Sequence, residues 1–259
     1  MKTVSLLLTL LLLTLLTSCG EPQRLRKRIT IKEQDLSSLL KEQSFECASL
    51  DNKDCPKGLA RLFIYNPADE KDSATCSGFL NGNDRIVTNN HCVATAEECK
   101  NTYITIYNGS SYESVRCQKI IQTKVDSGPL KNKGIDYSVL EIDRKLNIAT
   151  LPIATMEAQL GENLSAWVID HLTLYHARIT ELNCTYTKKG NSLQLSYCPV
   201  IQGNSGSPLV NFYGEVAGLI WGSTVSDEID GHFPLNERRE LTDYAFATEV
   251  KLFRSFLKY

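Results

Sequence analysis

From about Gly58 onward the chain is a succession of short β-rich runs: LARLFIYN, RIVTNN, TYITIYN, YSVLEI, SAWVID, ARITELN and EVAGLIWG. Gly, Asn, Asp and Ser punctuate them. Many short strands with frequent turn signals argue for an all-β sandwich or barrel. The last stretch, ATEVKLFRSFLKY, departs from this texture. Val250, Phe253 and Phe256 or Leu257 recur at helical spacing and predict a C-terminal amphipathic helix packed on the body. A chain of 259 residues can bury a sizeable core, as one domain or as two halves sharing an interface.

The N-terminus carries a different message. One Lys precedes an apolar run from Val4 to Leu16, which is short for a membrane span and matches a cleaved secretory signal. It ends in Leu16-Thr17-Ser18-Cys19, which resembles the lipobox of bacterial lipoproteins. That resemblance implies a signal peptide over 1–18 and a lipidated Cys19 as the mature N-terminus. Gly20, where Asp would retain the protein, implies outer-membrane sorting, so an exported lipoprotein of the cell envelope is expected. Each buried acyl CH2 contributes roughly 0.8 kcal/mol to anchoring. Residues 19–57 then read as a tether and N-terminal segment, polar and charged. Their RLRKR cluster reads either as solvated or as touching anionic headgroups.

Nine cysteines leave eight once Cys19 carries lipid: 47, 55, 76, 92, 99, 117, 184 and 198. An even number in an exported chain reads as up to four disulfides. No CxxC pair exists and His is scarce, so a zinc site is not expected and no metal or cofactor is assigned. His171 and His176 read as surface or packing residues. A formal net charge of -2 provides no broad basic field, which argues against nucleic acid as a partner.

One serine lies in a loop built for chemistry. GNSGSPLV, Gly203 to Val210, is a tight turn feeding a strand. A serine nucleophile needs a base, an acid that orients the base, and donors for the developing oxyanion. His91 ends the run Arg85-Ile-Val-Thr88 and is followed by Cys92, with Cys76 just upstream. A Cys76–Cys92 bridge would close a loop of about 15 residues, contribute about 3 kcal/mol and brace the backbone carrying His91. Asp136 opens the apolar run of GIDYSVLEID and suits the orienting acid better than Asp143, which sits among Arg144 and Lys145. Ser205 is the candidate nucleophile, and the N–H groups of Gly203 and Ser205 are the candidate oxyanion hole.

Taken together, CSGFL, TNNHC, GIDYSVLEI, GNSGSPLV and GLIWG resemble the trypsin/chymotrypsin-like serine proteases, over roughly residues 58–257. GNSGSP with GLIWG looks most like the bacterial glutamyl-endopeptidase branch. The resemblance implies two packed six-stranded antiparallel β-barrels, split near 146–160, with the site in the cleft between them. It implies His91 as general base and acid, Asp136 as its orienter, Ser205 as nucleophile, and a monomer acting on protein or peptide substrates. Pro199, Gln202, Trp221 and Gly222 then line the substrate pocket. Cys76–Cys92 matches a family disulfide and Cys184–Cys198 reads as a second, while the pairing of Cys47, Cys55, Cys99 and Cys117 stays open, with Cys47–Cys55 and Cys99–Cys117 the pairs that proximity suggests.

Three positions depart from the family pattern. Asn204 replaces the acidic residue that would bind a newly cut N-terminus, so activation by that salt bridge is not expected. Pro199 stands where trypsin-like members have Asp, so a Lys or Arg preference would need Asp227 or Asp230 to supply the charge. Ile220 stands where the glutamyl branch has His, which argues against a Glu preference, and it lacks the hydroxyl that would bond the triad Asp. An α/β-hydrolase is excluded, because Ser207 spoils Gly-x-Ser-x-Gly and only His232 follows the serine. The remaining alternative is a catalytically silent lipoprotein of the same fold that binds or scaffolds.

Overall fold

A computed structural model describes residues 23–50, 54–109, 111–126, 134–190, 192–224 and 244–257. Cys19, Gly20, Asp227, Asp230 and His232 lie outside the described residues.

Three short strands open the described chain: β1 (Gln23–Arg24), β2 (Lys27–Ile29) and β3 (Ser44–Ala48). Next come β4 (Leu59–Ile64), β5 (Ser73–Asn81), β6 (Arg85–Thr88), β7 (Thr102–Tyr107), β8 (Tyr112–Val125) and β9 (Asp136–Ile142). These six pair antiparallel in the order β5-β4-β7-β8-β9-β6 and close where β6 returns to β5. The connection over 143–162 leads to β10 (Asn163–His171), β11 (His176–Lys189), β12 (Leu193–Ser196), β13 (Pro208–Val210), β14 (Val216–Ser223) and β15 (Tyr244–Glu249). They form a second closed ring, β14-β13-β10-β11-β12-β15, sealed by β14 against β15. Two six-stranded antiparallel barrels, as expected, make up the body.

The period-2 alternation of strand side chains explains why runs such as LARLFI are apolar almost throughout. Ala60, Leu62 and Ile64 join Ile86, Ile104, Ile106 and Leu140 inside the first barrel. Leu164, Ala166 and Val168 join Leu182, Leu195, Leu209 and Ile220 inside the second. The alternate residues, Leu59, Phe79, Val87, Tyr137 and Val139 with Trp167, Ile169, Ala177 and Ile179, form a third cluster that draws on both barrels. Strands such as β9 and β10 therefore serve their own barrel with one face and the shared cluster with the other.

The C-terminus corrects the sequence expectation. Residues 244–249 extend the sheet as β15, and only two 3-10 turns follow, Val250–Leu252 and Arg254–Phe256. The 250/253/256 spacing is the three-residue period of a 3-10 helix. Packing on the body does occur, since Val250, Phe253 and Leu257 enter the interface cluster and Phe253 lies 5.3 Å from the Tyr137 ring.

Residues 23–50, within the segment that reads as a tether, are also folded. β1 pairs with β14, β2 with β5, and β3 runs parallel to β11. Its isolated apolar residues Leu25, Ile31 and Leu39 are buried among charged neighbours that stay at the surface. Averaging the segment as polar hides those three anchors.

Four disulfides are present: Cys47–Cys55, Cys76–Cys92, Cys99–Cys117 and Cys184–Cys198. They fit an exported protein folded in an oxidising compartment. Among the described residues, no helix is long and apolar enough to cross a membrane. Replacing Cys76 and Cys92 together by Ala should lower the unfolding free energy by about 3 kcal/mol in urea titration. An unchanged midpoint would show that the bridge constrains nothing.

Candidate active site

β6 ends at Thr88, and the chain turns through Asn89 and Asn90 to present His91 at the mouth of the first barrel. Asp136 is the first residue of the neighbouring β9. Its backbone is held from three sides. Its N–H donates to Thr248 Oγ1 on β15 at 3.0 Å, its carbonyl accepts from Asn89 Nδ2 at 2.7 Å, and β9 pairs with β8. The carboxylate takes the His91 backbone N–H on Oδ1 at 3.2 Å and faces His91 Nδ1 with Oδ2 at 2.7 Å. A carboxylate in that place fixes the proton on Nδ1, leaving the Nε2 lone pair free to accept. Ser205 Oγ lies 2.7 Å from Nε2.

Ser205 comes from the second barrel, and its loop is pinned to the first. Ser77 N–H on β5 donates to the Ser205 carbonyl at 2.7 Å, and Ser77 Oγ donates to the Gly203 carbonyl at 2.8 Å. The approach is so close that a Cβ on Gly206 would lie 2.0 Å from the Ser77 carbonyl oxygen, and Gly206 has φ +90°. Only glycine tolerates both conditions. Asn204 braces the same turn from within. Its Oδ1 accepts from Ile201 N–H at 2.9 Å, and its Nδ2 donates to the Ile169 carbonyl at 2.9 Å. A neutral amide thus holds the loop where an activated trypsin-like enzyme would use a salt bridge.

A second buried network supports the loop from behind. Arg61, a lone charge inside LARLFI, donates from Nε to His171 Nδ1 at 2.8 Å and from a terminal nitrogen to Gln43 Oε1 at 2.9 Å. It also donates to the Thr173 carbonyl. Burial pulls the guanidinium down to about 9, still charged near neutrality. Because Arg61 can only donate, His171 carries its proton on Nε2, which faces the Gly203 carbonyl at 3.1 Å. His171 is 5% exposed, so it is a packing residue and not a surface one. His176 is half-exposed and bonds Ser44 Oγ at 2.8 Å.

The predicted pocket residues divide. Pro199 is buried beside the Cys184–Cys198 bridge, and Gln202 is half-buried next to Gly203. Trp221 puts its carbonyl 3.5 Å from Ser205 Oγ and its ring 5.5 Å from Phe246. Ile220 points into the barrel core, so Trp221, Gly222 and Ser223 present the backbone beside the serine. Gly203 has φ +93°, and its N–H donates to the Leu25 carbonyl at 2.5 Å. Cys76, His91 and Cys92 lie close enough to share an ion, but the two sulfurs are bonded to each other and leave no thiolate.

Thr248, Asn89 and Arg61 escaped the sequence reading, and His171 was read only as a surface or packing residue. Arg61 was the most legible of them, as a charge that an apolar run buries only with partners. Burial, then Arg61 and Lys27, push His171 well below its ordinary 6.5. A folded value lower than the unfolded one means that the unfolded chain binds more protons below that pH. The resulting stability is fully present above about pH 6.5 and is lost as the pH falls, by at most about 1.4 kcal/mol per pH unit. Melting temperature against pH should fall below 6.5 in the wild type, and His171→Gln should flatten that limb. Parallel profiles would exclude His171 as its source.

Among solved structures, a serine endoprotease from Yersinia pestis superposes with a TM-score of 0.52 at 23% identity, covering 78% of this chain and 62% of its own. The chain thus spans less than two thirds of that protein's length. A protease from M. tuberculosis in its active form gives 0.48 at 17% identity, covering 76% of this chain and 78% of that one. No curated protein gives a significant match. The profile of the trypsin-like peptidase domain matches residues 76–219, more than half of the chain and a span containing His91, Asp136 and Ser205, and the chain belongs to that family.

Proposed function

We propose that the chain is a serine endopeptidase hydrolysing peptide bonds of protein substrates, with His91, Asp136 and Ser205 as its triad. The observation that carries this reading is the unbroken relay from Asp136 through His91 to Ser205, 2.7 Å at each step. Ser205 Oγ attacks the substrate carbonyl while His91 Nε2 takes its proton. Asp136 stabilises the imidazolium, and His91 returns the proton to the departing amine. The N–H groups of Gly203 and Ser205 then face the oxyanion, an arrangement worth about 3–4 kcal/mol for a single donor in comparable sites. The reading predicts that a fluorophosphonate reagent labels Ser205 over a long incubation, that Ser205→Ala takes none, and that Asp136→Asn labels on the order of 10^4-fold more slowly. Equal labelling of the wild type and Ser205→Ala would contradict it.

The same reading places the enzyme at a membrane through a lipidated Cys19, supported by the Leu16-Thr17-Ser18-Cys19 sequence and by the export that four disulfides fit. In bacterial expression the full chain carrying Ser205→Ala, which cannot cut itself, should partition into the detergent phase, and adding Cys19→Ser should move it to the aqueous phase. Aqueous partitioning of both would exclude the anchor.

A further inference from the structure

Between β1 and β2 the chain crosses from one barrel to the other directly over the triad. On the second barrel, Gln23 lies opposite Ser223 and Arg24 opposite Gly222 in an antiparallel pair with β14. On the first, Lys27 lies opposite Thr75 in an antiparallel pair with β5. Leu25 and Arg26 span the gap. The Leu25 carbonyl accepts the Gly203 N–H at 2.5 Å, and its side chain, 2% exposed, joins the second barrel's apolar cluster, which includes Cys198 and Val200 from the stretch before Ser205. The Arg26 guanidinium donates to the His91 carbonyl and pairs with Glu98, each at 3.0 Å. Beneath this segment Ser205 is 0% exposed.

Two features make this the pose of a ligand. The carbonyl held by the N–H two residues before the nucleophile sits where an oxyanion would be stabilised. An extended segment that adds main-chain pairs to strands on both sides of a site, with one side chain in an apolar pocket, is how strand-adding peptides bind. Being part of the same chain, the segment has an effective concentration that no free peptide matches easily.

We propose that Gln23–Ile29 occupies the protease's own substrate groove in the register of a substrate. Leu25 fills the specificity pocket and the Leu25–Arg26 bond is presented to Ser205. The site then takes peptides with a leucine-like aliphatic residue before the cut bond and a basic residue after it. This rests on the endopeptidase reading above. Attack by Oγ on the Leu25 carbonyl carbon forms an ester, and His91 passes the serine proton to the leaving Arg26 amine. Water then hydrolyses the ester to a free Leu25 carboxylate. Cys19 lies six residues before Leu25, so this cut separates residues 26–259 from whatever Cys19 carries. Until the segment is cut or displaced, it blocks the groove.

The test uses the full-length, disulfide-bonded protein. N-terminal sequencing and intact mass should find a new N-terminus at Arg26 that grows with time in the wild type and never forms in Ser205→Ala. Where the bond is still intact, Leu25→Asp and Arg24→Pro should take fluorophosphonate at Ser205 roughly tenfold or more faster than the wild type, by raising the open fraction. Arg24→Pro breaks the β1 pairing without touching the Leu25 side chain, and so serves if Leu25→Asp fails to fold. An uncut Leu25–Arg26 bond together with equal labelling rates in the wild type and Arg24→Pro overturns the inference and leaves the endopeptidase reading standing. A cut elsewhere in 23–29 overturns the register. Folded variants that all refuse label overturn the endopeptidase reading instead.

Discussion

The hydrogen bond from Ser77 N–H to the Ser205 carbonyl, 2.7 Å long, ties the second barrel's nucleophile loop to a core strand of the first. His91 and Asp136 belong to the first barrel, and Ser205 belongs to the second. Without a direct main-chain tie, the distance between base and serine would follow any sliding of one barrel over the other. The tie explains the glycine at 206, where any side chain would collide with the same carbonyl of Ser77. It also explains why buried polar groups gather behind the loop. Ser77 Oγ and His171 both face the Gly203 carbonyl, and Thr88 Oγ1 donates to the Ser77 carbonyl. In a water-poor interior such a network rigidifies only when its members are paired.

The strands and the grouping of His91, Asp136 and Ser205 were legible in the sequence for related reasons. YSVLEI is apolar on both faces because Leu140 and Ile142 line the first barrel while Tyr137 and Val139 enter the cluster shared by both, and in LARLFI Leu59 joins that cluster while Phe63 packs on Ile31 and Leu39. His91, Asp136 and Ser205 sit at strand ends or in a glycine-bounded turn, where local sequence marks the position. What remained hidden depends on contacts distant in sequence. Thr248 reaches Asp136 across 112 residues, and Arg61 reaches His171 across 110. Neither partner marks the other in the sequence. The C-terminal turns misled because a spacing of three residues fits a 3-10 helix as well as one face of an α-helix.

The N-terminal segment shows how few apolar residues are needed to fix a charged stretch. Leu25, Ile31 and Leu39 are buried, while Lys32, Glu33 and Gln34 between them remain exposed. The strands they flank borrow hydrogen bonds from sheets already formed, so β1 and β2 need no hydrophobic pattern of their own. A segment read as a spacer is therefore paired to both barrels beside Ser205. The anchor proposed at Cys19 and the site at Ser205 are then joined by one short stretch of chain.

The proposed relay hangs on the bond between His91 Nδ1 and the Asp136 carboxylate, which sets the tautomer that leaves Nε2 free to accept a proton. Proton NMR of the full chain reads it whether or not the groove is occupied, since both side chains are almost wholly shielded from solvent. A strongly deshielded ring N–H resonance is expected, vanishing in His91→Ala and moving upfield in Asp136→Asn. A folded, disulfide-bonded wild type without that resonance would contradict it.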